Sequence, residues 1–141
     1  MFTLKTKASF DSAHFLAGYE GKCANIHGHR WLIEVTAGGE ELILSGPKRG
    51  MMIDFCDLKH EVRALAERFD HTLIYEKDSL KPATLEAMND EGFSMIEVGF
   101  RPTAENLARH FYELLKQNGL PVKTVTVYET PDNCASYEVE A

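Results

Sequence analysis

The chain has 141 residues, 44% of them hydrophobic and 26% charged, and 15 Lys+Arg against 22 Asp+Glu give a formal charge of −7. This length and composition suit a single globular domain spanning 1–141, with one core and no room for two independent ones. They argue against non-specific nucleic-acid binding, which rests on neutralising phosphates, and no apolar run approaches the roughly 20 residues of a membrane span. The N-terminus MFTLKTKASF alternates polar and apolar residues, unlike a signal peptide, so a cytoplasmic protein is expected. Cys23, Cys56 and Cys134 are odd in number and widely spaced, which favours reduced thiols over a disulfide framework.

In chain order, Phe2, Leu4, Thr6, Ala8 and Phe10 share one parity and predict a half-buried strand. A second alternation runs from His27 to Ala37 and ends at Gly38-Gly39, with a short return strand expected at Leu42-Ile43-Leu44. From Asp54 to Phe69 the period changes. Phe55, Leu58, Val62, Leu65, Ala66 and Phe69 fall at helical spacing, with Asp54 as N-cap. Residues 76–101 are an irregular insert, with a short helix expected near Pro82–Met88 and a strand near Met95–Val98. A second long helix starts at Pro102-Thr103, runs to about Asn118, and stops at Gly119 and Pro121. Strands follow at Val122–Glu129 and Ala135–Val139 around a Pro131-Asp132-Asn133 turn. Strands grouped around two helices predict an α+β fold, with an antiparallel sheet and the helices on one face.

His27-Gly28-His29 is the sharpest chemical signal. Residues two apart on a strand face the same way, so both imidazoles can reach one ion. His14, at the end of the neighbouring strand, is the natural third ligand. Three neutral imidazoles are a common zinc set that leaves a fourth position for water or substrate. Cys23, four residues before His27, has three readings: a fourth ligand closing a structural site, a buried inert thiol, or a base or nucleophile activated by the metal and by Lys22. Asp70-His71 follows the first long helix directly, where a carboxylate can orient and charge an imidazole. Glu129, at a strand end, suits either a solvated turn or a carboxylate accepting two parallel N–H bonds from a heterocycle. Glu105 and Asp54 read as helix-start residues, His60 and His110 as solvated, and Trp31 as core beside the histidines.

Phe10-Asp11-Ser12-Ala13-His14, Cys23-x-x-x-His27-Gly28-His29, Ile53-Asp54-Phe55-x-x-Leu58-Lys59, Asp70-His71, Pro102-Thr103-Ala104-Glu105-Asn106-Leu107-Ala108 and Tyr128-Glu129-Thr130 occur in this order. Together they resemble the 6-pyruvoyltetrahydropterin synthase / 6-carboxytetrahydropterin synthase family, from end to end except in residues 76–101 and the 40–50 stretch. The resemblance implies a tunnelling fold: a four-stranded antiparallel sheet with two helices, assembling into a barrel as a homohexamer of two trimers. It implies Zn2+ on His14, His27 and His29, a catalytic Cys23, and a catalytic dyad of Asp70 and His71 contributed across a subunit interface. It further implies that Glu129 anchors a pterin ring and that Thr103 lies in the segment lining its pocket. The three residues between Cys23 and His27 resemble the branch serving queuosine (7-deazaguanine) biosynthesis. The implied activity is a lyase that converts 7,8-dihydroneopterin triphosphate to 6-carboxy-5,6,7,8-tetrahydropterin, acetaldehyde and triphosphate. Formation of a 6-pyruvoyl product from the same substrate is the alternative. Lys22, Arg30, Lys48, Arg49 and Arg101 are candidates for meeting the triphosphate.

Overall fold

The computed structural model describes residues 1–140. Strand β1 (Phe2–His14) pairs antiparallel with β2 (His27–Gly39) over its whole length, from Phe2↔Gly39 to His14↔His27. Helix α1 (Phe55–Phe69) follows a loop, then β3 (Thr72–Glu76), helix α2 (Pro82–Asp90), β4 (Met95–Val98), helix α3 (Ala104–Gln117), β5 (Val122–Thr130) and β6 (Asn133–Glu138). The sheet has six strands in the order β4-β3-β1-β2-β5-β6.

Two expectations are thereby corrected. The four antiparallel strands exist as β1-β2-β5-β6, but β3 and β4 extend the sheet as parallel neighbours on the β1 side, so the sheet is mixed. There are also three α-helices among the described residues, since the short stretch expected near Pro82–Met88 is a full helix with Pro82 at its first turn. Parallel pairing is non-local, and β3 joins β1 only through Ser12–His14. A side chain reinforces the joint: Ser12 Oγ donates to the Thr72 carbonyl at 2.7 Å. The return strand expected at Leu42–Leu44 is a loop instead, closed by Ile43 N–H to Met51 O and Gly50 N–H to Ile43 O, both 2.8 Å.

The long helices form for the reasons their sequences carry. Asp54 caps α1 by accepting from the Cys56 N–H at 2.8 Å, and Thr103 caps α3 by accepting from the Asn106 N–H at 3.2 Å. Gly119, at φ +87°, adopts the left-handed conformation just past α3 that a Cβ would strain. The apolar stripes of α1 (Leu58, Val62, Leu65, Ala66, Phe69) and α3 (Leu107, Ala108, Phe111, Leu115) bury the inward parity of the sheet: Phe10, Trp31, Ile33, Val35, Val125 and Val127. Burying one such large side chain is worth roughly 1.5–3 kcal/mol. The first helix packs on β1 and the third on β5, while α2 covers β3 through a separate cluster of Phe15, Leu73 and Tyr75 with Leu85 and Met88. His110, expected to be solvated, is half-buried with its ring 5.2 Å from Phe100, and burial lowers its pKa.

The placement follows from parity. His14, His27 and His29 continue the inward rows of β1 and β2, just beyond Phe10, Ser12 and Trp31, at the end of the β1-β2 ladder.

Candidate metal centre and adjoining cavities

The ladder does the first work: His14 stands opposite His27 and Ser12 opposite His29, so one register brings three imidazoles onto one face. Their ring centroids are 4.6 to 5.2 Å apart. Backbone carbonyls fix two tautomers. His14 Nδ1–H donates to Pro102 O at 2.8 Å, and His27 Nδ1–H donates to Asn25 O at 2.7 Å. The Nε2 lone pairs of both rings are then free to bind an ion. Trp31 seals the base of the cluster, its ring 4.9 Å from that of His14 and its Nε1–H donating to the Ser12 carbonyl at 3.2 Å.

Glu129 completes the set. One ligand atom from each of His14, His27, His29 and Glu129 lies within 4.8 Å of all the others. The Glu129 carboxylate reaches the cluster from a register break in β5, between Tyr128 and Thr130, and lies 3.0 Å from His29 Nε2 and 4.0 Å from His14 Nε2. The closer approach is a contact and not an aligned hydrogen bond. The Nε2 atoms of His14, His27 and His29 are all buried, and none has a hydrogen-bond partner. Burial of three unpartnered nitrogens costs free energy that an ion coordinated at their lone pairs would recover. Burial is also the main cause that lowers the pKa values of His14 and His29, so both are held neutral, the form that ligates. The donor set thus fits a metal ion.

Cys23 is not one of the groups brought within ligand range among the described residues. It sits half-buried in a single 3-10 turn, Lys22–Ala24, whose loop is tied back by the Leu16 N–H donating to the Cys23 carbonyl at 2.9 Å. The fourth group gathered beside the three imidazoles is Glu129, which sequence alone placed only at a strand end.

Asp70 and His71 form a second construction at the C-terminus of α1. Asp70 Oδ1 accepts the Asp11 N–H at 2.8 Å, and His71 Nδ1–H donates to Asp70 Oδ2 at 2.8 Å. These two bonds, the backbone one first, hold the Asp70 carboxyl below the usual carboxylate range. His71 N–H donates to Asp11 O at 2.6 Å while its φ is +58°, the left-handed region usually left to glycine at a helix C-terminus. Its side chain is 80% exposed, so no packing explains the strain.

Two cavities flank this end of the sheet. One, of about 570 Å³, has His29, Arg30, His71, Thr72, Met88 and Phe93 in its walls. The other, of about 680 Å³, is lined by Lys7, Arg30, His29, Glu34, Tyr128 and Glu129. A single chain therefore lines one cavity with both a cluster histidine and the dyad histidine. Gly28 lines both cavities, and a Cβ there would meet only the Ser12 carbonyl at 3.9 Å. Glycine at this position is not required by the chain's own packing. Thr103 spends its hydroxyl on the α3 cap and lines neither cavity. Its neighbour Pro102 has the direct role, through the carbonyl that orients His14, where the sequence marked it only as a helix start and motif residue.

The 6-pyruvoyl tetrahydropterin synthase family matches residues 3–140. The chain belongs to this family. Among curated relatives, 6-carboxy-5,6,7,8-tetrahydropterin synthase of Haemophilus influenzae is 38% identical over 98% of this chain and 99% of its own. The protein of the same name from Aquifex aeolicus is 34% identical over 84% of this chain and 77% of its own. Among solved structures, 6-pyruvoyl tetrahydropterin synthase of Caenorhabditis elegans superposes with a TM-score of 0.67 at 26% identity, covering 99% of this chain and 96% of that one. An uncharacterised protein of Wolinella succinogenes gives 0.81 at 24% identity, over 99% and 98%, and speaks to the fold alone. No α-helix among the described residues is long and apolar enough to cross a membrane.

Proposed function

We propose that this member of the 6-pyruvoyl tetrahydropterin synthase family is a zinc-dependent carbon–carbon lyase. It converts 7,8-dihydroneopterin triphosphate to 6-carboxy-5,6,7,8-tetrahydropterin, acetaldehyde and triphosphate, in the cytoplasm and in the service of queuosine biosynthesis. The observation that carries the reading is the convergence of three buried, unpartnered imidazole nitrogens beside an exposed, carboxylate-oriented histidine. The shared name of the curated relatives supports the product assignment.

His14, His27 and His29 would hold the zinc. A zinc ion bound there supplies Lewis acidity toward the hydroxyls of the substrate's three-carbon side chain. Cys23 acts as the base that takes a proton from that side chain. His71, with Nδ1–H committed to Asp70, presents Nε2 for proton exchange with a developing oxyanion or leaving group. Glu129 accepts N–H bonds from the pterin edge, and its approach to His29 ties the position of the ring to that of the reacting side chain. Thr103, beside Pro102, is the candidate pterin contact of that segment.

Homo-oligomerisation as a hexamer of two trimers belongs to the same reading. Among the described residues, the outer edge of β1 beyond its Ser12–His14 pairing with β3 has no strand beside it, and β4 and β6 end the sheet. Open edges on one sheet invite pairing between copies.

The test is a single-turnover assay on zinc-loaded protein with 7,8-dihydroneopterin triphosphate, wild type beside Cys23→Ala, reading acetaldehyde and bound metal. Acetaldehyde from the wild type, and none from a variant that keeps its zinc, is the expected result. A pyruvoyl product would move the chain to the other activity of the family. Loss of zinc from the variant, with no turnover in either protein, would return Cys23 to a structural role.

A further inference from the structure

The five cations that could meet the substrate's phosphates are sorted by the fold. Lys48 is paired with Asp57 at 2.6 Å, and Arg49 donates to the Gly46 carbonyl at 3.1 Å, both in the loop after β2, at the end of the ladder away from the histidines. Arg101 is committed to the Ala17 carbonyl at 2.6 Å. Lys22 lines neither cavity beside the metal cluster. Arg30 alone of the five lines both.

Its environment is built for exchange. Arg30 lies opposite Asp11 in the ladder, on the sheet face turned away from the helices. One guanidinium nitrogen stands 3.6 Å from Asp11 Oδ2 and another donates to Ser9 Oγ at 3.3 Å, while the side chain is 75% exposed. Long contacts between exposed partners hold little free energy, so the guanidinium can redirect its planar donors to phosphate oxygens. Lys7 lies two residues from Ser9 on the same face, roughly 7 Å along the strand, and lines the same cavity. Lys7 has no ion pair among the described residues. Its cross-strand neighbour Glu34 lies instead 3.8 Å from Lys5. The cavity's other carboxylate, Glu129, is turned to His29. Glu129 is thus engaged, Glu34 meets Lys5 only at 3.8 Å and stays beside Lys7, and Arg30 and Lys7 are the cations facing the space.

We propose that Arg30 and Lys7, with Ser9 between them, bind the polyphosphate chain of the substrate on the sheet face turned away from the helices, in the cavity that Glu129 also lines. The assignment rests on the pterin-triphosphate reading for its ligand, and on the exposed, weakly engaged cations for its location. A charged pair spaced along a strand selects a chain of phosphates over a single one, and attraction by exposed cations is weakened by salt.

Two measurements test it on the full-length protein. First, KM for 7,8-dihydroneopterin triphosphate is compared with the Kd of 7,8-dihydroneopterin, which lacks the phosphates. Arg30→Ala should raise KM at least tenfold, Lys7→Ala several-fold, and neither should move the Kd of the unphosphorylated compound. Lys48→Ala and Arg49→Ala should leave KM where it is. Second, calorimetric titration with inorganic tripolyphosphate, with protein-bound metal measured before and after, should show binding that Arg30→Ala weakens at least tenfold and that orthophosphate does not reproduce. An unchanged KM in Arg30→Ala, an equal loss for both pterins, or tripolyphosphate binding indifferent to Arg30 overturns the site. Arg30-dependent tripolyphosphate binding with no turnover of any pterin would keep the anion site and sink the proposed reaction instead.

Discussion

The two histidine-bearing corners of this molecule are built on opposite terms. His14, His27 and His29 stand on a continuous thirteen-residue ladder, their rings locked by backbone carbonyls and packed on Trp31. His71 stands on a strained residue at a helix end, exposed, and held by one carboxylate. The first corner needs fixed geometry and neutral nitrogens, and a sheet interior supplies both. The second needs a group that reaches into open space and exchanges protons, which a packed interior would forbid. Rigidity is placed where an ion would be held, and strain where a proton would be moved.

Removing a ligand should produce the largest effect. His27→Ala deletes one of the three imidazole donors. Metal content by plasma spectrometry should fall to background and turnover with it, by at least about 10³-fold. Retained stoichiometric metal would mean that Glu129 and the two remaining imidazoles suffice.

Asp70→Asn probes the second corner. The amide can no longer accept from His71 Nδ1–H as a charge, so ring orientation and tautomer loosen. We expect kcat to drop by about 10²-fold, with metal content unchanged. A similar fall in bound metal would show that the two corners are not independent.

His71→Gly separates strain from chemistry. Glycine accepts φ +58° freely, so the variant should be more stable by about 1 kcal/mol while losing activity. A lower unfolding midpoint in denaturant would show that His71 is not strained at all.

Acid gives the smallest signal and the sign is definite. Burial lowers the pKa of His14 and of His110 below 6.5, so the unfolded chain takes up these protons more readily than the folded one. The stability they contribute is complete above pH 6.5 and drains as pH falls through the lower folded values. The melting temperature of chelator-treated protein should therefore fall between pH 7.5 and 5.5, and saturating zinc should oppose the fall. A flat profile would show that neither ring is buried neutral.

Much of this was legible in the residues. The alternation through His27 and His29 set both on one face before any partner strand was known, because pleating alone forces it. Asp54 and Thr103 announced their helices through side chains that cap local N–H groups. The parallel additions were not legible as such. The run Leu73-Ile74-Tyr75 is too short to distinguish a strand from a buried turn, and β3 takes its place from pairing with Ser12–His14 on one side and with β4 on the other. Glu129 read equally as a solvated turn residue, since its approach to His29 depends on how β5 registers against β2.

What the sequence by itself determined is local: the period of each element, its caps, the shared face of two histidines, and the adjacency of Asp70 to His71. Each depends on residues within a few positions of one another, where backbone geometry leaves few choices. What only the tertiary structure decided is everything that joins distant segments: the Pro102 carbonyl orienting His14, Asp11 bracing the dyad, Glu129 as the fourth member of the cluster, and Arg30 set apart from four other cations. Such contacts span tens of residues. They follow from strand order and register, which a pattern of polar and apolar positions constrains only by parity.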